Sequence, residues 1–215
     1  MPAGCSAGAP PAVPTVVTLG DSVPAGTACG CDPFPTLYAR AQHARSANLA
    51  AAGATSADVL GSLPSAAGAL SSADRVLLMV GANDLAEAFS GHTSYAAAAA
   101  AVRDNVTRTI TGIHRIHPVP VVVLGYWNVV RDGQPAAAAY DAAQIRSAAA
   151  ATAVANDALR SAAADAGGVY VPTNAAFHGA DGRADPTPLL AADGDHPDAD
   201  GHAAIAALIP PMASA

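Results

Sequence analysis

Pro14-Thr15-Val16-Val17-Thr18-Leu19-Gly20-Asp21-Ser22 is a short β-branched, apolar run that stops at a glycine and passes into two polar residues. A run of this kind reads as a buried strand, because it carries no polar alternation and ends in turn chemistry. The pattern recurs along the chain. Arg75 to Val80 is a second continuous run, again closed by a glycine, and Pro118 to Leu124 is a third. Shorter stretches at Ala47–Ala50 and Gly168–Val171 complete a set of five.

Helical patterns fill the spaces between these runs. Phe34 to Ser46 places Leu37, Ala41 and Ala44 on one face, and Thr55-Ser56-Ala57-Asp58 has the form of a helix start. Ser94 to His117 carries Val102, Val106, Ile110 and Ile113 at helical spacing. Ala136 to Ala166 reads as one further helix and Asp198 to Leu208 as the last, after a Gly/Asp/Pro-rich loop that ends near His196. Apolar strands alternating with helices predict an α/β protein with a five-stranded parallel sheet covered on both faces, a three-layer α/β/α sandwich. Ligands of such sheets sit beyond the carboxyl ends of the strands. The loops after Leu19, Ala50, Val80, Leu124 and Val171 are therefore where function is expected.

Composition narrows the field. A length of 215 residues fits one domain; residues 1–13, rich in Pro, Ala and Gly, read as a disordered lead-in, and 14–215 as the domain. Charged residues make up 13% of the chain, about half the usual share. All ten basic residues are Arg, and the net charge is −7, so no basic patch speaks for nucleic acid as a partner. The apolar runs are too short to span a membrane. No basic start followed by an apolar segment marks a leader, so the expectation is a monomer that is either cytoplasmic or secreted with its leader already removed.

Cys5, Cys29 and Cys31 are an odd set, leaving at least one thiol without an intrachain partner. Cys29 and Cys31 could be bridged directly or remain free, and no second Cys/His pair lies at zinc-ligand spacing. Gly4-Cys5-Ser6-Ala7-Gly8 matches the nucleophile-elbow letters, but no strand precedes it and no helix follows.

The loops at the predicted carboxyl edge carry chemistry. Gly20-Asp21-Ser22 follows the first strand, Asn48 to Gly53 the second, and Gly81-Ala82-Asn83-Asp84 the third, while Asp193-Gly194-Asp195-His196-Pro197 precedes the last helix. A serine hydroxyl needs a base to become a nucleophile. An imidazole takes its proton, and a carboxylate on the far ring nitrogen fixes the tautomer. The oxyanion that forms needs donors aimed at it. The backbone N–H of Ser22, the N–H of Gly53 and the side-chain amide of Asn83 are candidates.

These four blocks, in this order, resemble the SGNH/GDSL hydrolases, with the motif letters falling on Ser22, Gly53, Asn83 and His196. The resemblance covers residues 20 to 197. It implies a flavodoxin-like sandwich, catalytic Ser22, His196 and Asp193, an oxyanion hole of Ser22, Gly53 and Asn83, and no metal or other cofactor. It also implies hydrolysis of small-molecule carboxylic esters, thioesters or acetylated sugars through an acyl-enzyme. Asp195, Asp198 and Asp200 compete with Asp193 as the orienting acid, and the family pattern selects Asp193. Asp21 reads as a loop anchor. Tyr126, Trp127 and Asn128 follow the fourth strand and are expected to border the substrate cleft, with Phe34-Pro35 on its other side. A short acyl chain is expected. Two further readings stay open: acyl transfer to a sugar or alcohol acceptor, and a non-catalytic binding module on the same fold.

Overall fold

The computed structural model describes residues 12–213. The expected lead-in lies largely outside the described residues, as do Cys5 and Ser6. Five strands, β1 (Thr15–Gly20), β2 (Arg45–Asn48), β3 (Arg75–Met79), β4 (Val121–Leu124) and β5 (Val169–Val171), form one sheet in the order β2-β1-β3-β4-β5. Every pairing is parallel. This is the flavodoxin-like order, and its direction of winding reverses between β1 and β3.

The helices are α1 (Ser22–Ala25), α2 (Phe34–Ala41), α3 (Ser56–Gly61), α4 (Leu63–Leu70), α5 (Ala82–Phe89), α6 (Tyr95–Ile116), α7 (Gly133–Ala139), α8 (Ala142–Ala166), α9 (Asn174–His178) and α10 (Ala199–Leu208). Helices α3, α4, α5 and α8 pack around α6, whereas α2 and α10 pack on each other. The sheet lies between these two layers. Val16, Val17, Leu19, Val76 to Val80 and Val121 to Leu124 are buried throughout. Each such Val or Leu contributes about 1.5–3 kcal/mol by leaving water. The facing side of α8 is largely alanine (Ala148, Ala151, Ala155, Ala162), so it can lie close against the Val102, Val106, Ile110 and Ile113 stripe of α6.

Several boundaries differ from the sequence reading, among them the fourth strand, which starts at Val121 and not Pro118, and three have a plain physical cause. The second strand is Arg45–Asn48, not Ala47–Ala50. It is an edge strand, exposed along most of its length, so polar residues such as Arg45 and Ser46 suit it and apolarity does not mark it. The helix from Phe34 stops at Ala41 because His43 takes a left-handed turn, φ 52°, into that strand. The expected helix from Ala136 to Ala166 is two helices. Asp141 breaks it, with its side chain capping Ala143 and Gln144 while the Gln144 amide oxygen accepts from Asp141 N–H. That reciprocal pair is a capping box, a stronger local signal than the alanine tract around it.

Candidate active site

The reversal between β1 and β3 opens a crevice at the carboxyl ends of these strands, and the loops that carry the candidate residues meet there. Gly20 ends β1 in a conformation and a space that only glycine tolerates. Its φ is +155°, and an added Cβ would lie 2.1 Å from the Met79 carbonyl oxygen. Asp21 then turns the chain. Its N–H donates to Met79 O, 3.1 Å, and its Oδ1 caps α1 by accepting from Val23 N–H, 3.1 Å. Ser22 is the first residue of that short helix.

Ser22 Oγ lies 2.9 Å from His196 Nε2, and His196 Nδ1 lies 2.7 Å from Asp193 Oδ2. The Asp193 Oδ1 atom accepts from the N–H groups of Asp195 and His196, at 3.0 and 3.1 Å, so the acid also shapes the turn that carries the histidine. Burial pushes the Asp193 carboxyl up, but donation from Asp195 N–H and from the ring and N–H of His196 outweighs it and holds the group below its ordinary value. It stays an anion, as the partner of an imidazole that must gain a proton should.

The competing acids have other employment. Asp198 caps α10 through Gly201 N–H, 2.9 Å, and Asp200 is exposed in the first turn of that helix. Asp195 lines the crevice, and burial raises its carboxyl above the ordinary value. Burial likewise pushes Asp21 up to about 7, against donation from Tyr126 and Val23.

The oxyanion candidates sit across the crevice. Asn83, in the first turn of α5, lines the cavity beside Ser22 and donates one amide hydrogen to Ala54 O, 2.9 Å. The second amide hydrogen remains available. The next residue, Asp84, accepts from Ser56 N–H at 2.9 Å and from Ser56 Oγ at 2.6 Å. Two successive side chains of α5 thus pin the loop containing Gly53. Gly53 has φ +79° with nothing within 4 Å of an added Cβ, so its conformation, and not a close contact, calls for glycine. Among the described residues, neither Ser22 N–H nor Gly53 N–H donates to a protein acceptor.

The cavity at Ser22 measures about 160 Å³ and is walled by Val23, Ala82, Ala86, Val129 and Val130, with Arg131 and Tyr140 at one side. Of the expected wall after β4, Asn128 lines it, and Tyr126 reaches it from a fully buried position. Trp127 lies outside it, stacked on Phe177 with ring centroids 4.0 Å apart. Phe34 and Pro35 are buried and take no part in the lining; Phe34 N–H donates to His202 Nδ1, 3.2 Å. Cys29 and Cys31 form a disulfide, and a His202 ring nitrogen lies within 4.8 Å of both sulfurs. Bridged sulfurs offer no thiolate, so this group does not fit a metal in this form. Residues that the sequence reading passed over are Arg131 and Tyr140, whose only mark in the sequence is their place in the long segment after β4.

A serine, an imidazole and a carboxylate in relay, at the switch point of a parallel sheet, have the construction of a serine hydrolase. The chain belongs to the GDSL-like Lipase/Acylhydrolase family, whose model matches residues 18–204. Solved structures share the fold. A lipase from a goat rumen metagenome superposes with a TM-score of 0.71 at 18% identity, over 91% of this chain and 95% of that one. Phospholipase A1 from Streptomyces albidoflavus gives 0.65 at 24% identity, over 92% and 100%. An acetyl xylan esterase from Geobacillus stearothermophilus gives 0.61 at 18% identity, over 91% and 92%. No curated protein sequence matches the chain. Among the described residues, no helix is long and apolar enough to cross a membrane.

Proposed function

We propose that the protein is a serine esterase that cleaves carboxylic esters of short acyl chains through an acyl-enzyme. The observation that carries this reading is the continuous relay from Ser22 Oγ to His196 Nε2, 2.9 Å, and from His196 Nδ1 to Asp193 Oδ2, 2.7 Å. Ser22 Oγ attacks the acyl carbon and His196 takes its proton. Asp193, holding Nδ1–H, keeps Nε2 free to accept it and stabilises the imidazolium. The carbonyl oxygen, now an anion, is received by Ser22 N–H, Gly53 N–H and the free amide hydrogen of Asn83. His196 then passes its proton to the departing alcohol. Water, deprotonated in turn by His196, attacks the acyl-enzyme and releases the acid.

The preference for short chains rests on the cavity at Ser22, which is about 160 Å³ and walled by Val129, Val130 and Ala86. The test is labelling with a fluorophosphonate, read beside turnover of p-nitrophenyl esters from acetate to palmitate. Labelling and turnover are expected in the native protein, with rates falling along the series, and both are expected to vanish in Ser22→Ala. Undiminished labelling of Ser22→Ala would refute the nucleophile, and rates that climb steadily to palmitate would refute the chain-length preference.

A further inference from the structure

Cys29, Cys31 and His202 meet outside the Ser22 cavity, and none of the three lines it. The cysteines lie in the loop between α1 and α2, and His202 lies in α10, the helix that follows the His196 turn. Both sulfurs and one ring nitrogen fall within 4.8 Å of one another. Thiolate and imidazole together are the usual donors of zinc. Only the bridge between the sulfurs withholds the set, since the thiolate is the ligand.

Two features of the loop favour opening of this bridge. Only Gly30 separates the cysteines, and the stabilisation that a disulfide gains by restricting the unfolded chain is least for so short a loop. Ala28, next to Cys29, is held at φ 61°, a left-handed conformation that disfavours any residue with a Cβ. Opening the bridge lets the Ala28 backbone leave it. The two ends of the loop are anchored without the sulfurs. Gly26 N–H donates to Val23 O at 3.0 Å, the Asp32 carboxylate pairs with Arg40, and Phe34 N–H donates to His202 Nδ1 at 3.2 Å. Both cysteines, which are half-buried, therefore stay beside the histidine when they part.

His202 forms the floor of the site. Its Nδ1 accepts from Phe34 N–H, so in the neutral ring the proton sits on Nε2, which has no partner among the described residues. One backbone hydrogen bond is thus all that holds the polar edge of the ring, and the free lone pair points at the end of the cysteine loop. A cation that takes this lone pair displaces one N–H and no proton. We propose that, once a small-molecule thiol has reduced the Cys29–Cys31 bridge, Cys29, Cys31 and His202 bind a zinc ion, with solvent in the fourth position. Two thiol molecules supply the two electrons and two protons and leave as their own disulfide. Each protein sulfur gains a proton, and the cation displaces both protons as it binds the thiolates. Bonds of about 2.3 Å to sulfur and about 2.0 Å to nitrogen fit between atoms already this close.

The test uses Cys5→Ser, in which Cys29 and Cys31 are the only cysteines. Reduced with a phosphine and freed of it under nitrogen, this protein is expected to bind one cadmium ion per chain, seen as a thiolate-to-cadmium charge-transfer band in the ultraviolet. Zinc should bleach that band, and zinc added to the reduced protein in weak buffer should release about two protons per ion. The oxidised protein should do neither. His202→Gln keeps an acceptor for Phe34 N–H and removes the imidazole. It should weaken cadmium binding more than about tenfold, since losing even the outer partner of a metal ligand costs roughly 10–100-fold. Cys31→Ser leaves the histidine in place and should weaken binding at least as much, so the site is still tested if the buried position tolerates no glutamine. A reduced protein that binds no cadmium would overturn the site, as would circular dichroism that collapses on reduction. Undiminished binding by folded His202→Gln would also overturn it, leaving a loop dithiol that chelates without the histidine.

Discussion

Tyr126 donates its phenolic hydrogen to Asp21 Oδ2 at 2.5 Å, inside the core and one residue before the candidate nucleophile. Both groups are buried, and burial drives the phenol well above its ordinary value, so the tyrosine remains a donor. Asp21 in turn fixes α1 and its first residue, Ser22, by accepting from Val23 N–H. Removing the phenol hydroxyl leaves a buried carboxyl oxygen without its donor. Tyr126→Phe is therefore expected to lose about 1–3 kcal/mol of stability at pH 8, where Asp21 is ionised, and less at pH 5, where it is protonated. Urea denaturation at the two pH values reads this difference, and equal losses at both would show that the carboxylate is not what the tyrosine supports.

Asp21 and His202 pull the pH dependence of stability in opposite directions. Burial pushes Asp21 up to about 7 from 3.8, so between those values the folded state holds a proton that the unfolded state has released. Its contribution is greatest at low pH and falls as pH rises to 7. Burial pushes His202 down to about 4 from 6.5, so between those values the unfolded state holds the extra proton. Its contribution is lost at low pH and returns as pH rises to 6.5. Each slope is at most about 1.4 kcal/mol per pH unit. From pH 4.5 to 6.5, Asp21→Asn is expected to make stability rise more steeply with pH than in the native protein, and His202→Gln to make it fall relative to the native protein. Chemical denaturation at three pH values in that window is the measurement.

Much of the fold is legible in the sequence. Buried strands such as Val16–Leu19 and Val121–Leu124 announce themselves because they are covered on both faces and have no reason to alternate. The sequence reading puts the edge strand Arg45–Asn48 two residues late, since a strand paired on one side only is free to be polar. Asp141 and Gln144 show how a local cap overrides a favourable composition: alanine favours helix on both sides of Tyr140, yet the side-chain hydrogen bonds at Asp141 start a new one. The positions of Ser22, Asn83 and His196 could be read because each lies next to a strong strand or helix signal. Trp127 could not, since a loop after β4 gives no rule for which of three consecutive residues turns toward Ser22 and which turns into the core.

The choice among the acids near His196 is open to direct test. Asp193→Asn should leave the turn largely intact, because the amide oxygen can still accept from Asp195 and His196 N–H. It should cost about 10⁴-fold in kcat on p-nitrophenyl acetate, since an amide cannot hold the required tautomer. Asp195→Asn, which alters the crevice wall but touches neither ring nitrogen, should cost far less. Comparable losses from the two variants would reassign the orienting acid.

On the proposed reading Asn83 binds the oxyanion and Asp84 supports the loop that carries Gly53, and variants at the two positions test that division. Asn83→Ala removes a donor and frees Ala54 O, and is expected to lower kcat by about 10²–10³-fold with little change in KM, because the interaction forms only as charge develops on the carbonyl oxygen. Asp84→Ala touches no substrate atom. It releases Ser56 N–H and Ser56 Oγ, a buried pair, so its first effect is a loss of about 1–3 kcal/mol in stability. A smaller fall in kcat follows as Gly53 loosens. Asp84→Asn keeps an acceptor for the Ser56 hydroxyl and should recover most of the stability and part of the rate. Steady-state kinetics and denaturation on the three variants distinguish the roles. If Asn83→Ala raised KM alone, the amide would be a substrate-binding group in the ground state, and the oxyanion would have to rest on the two backbone N–H groups of Ser22 and Gly53.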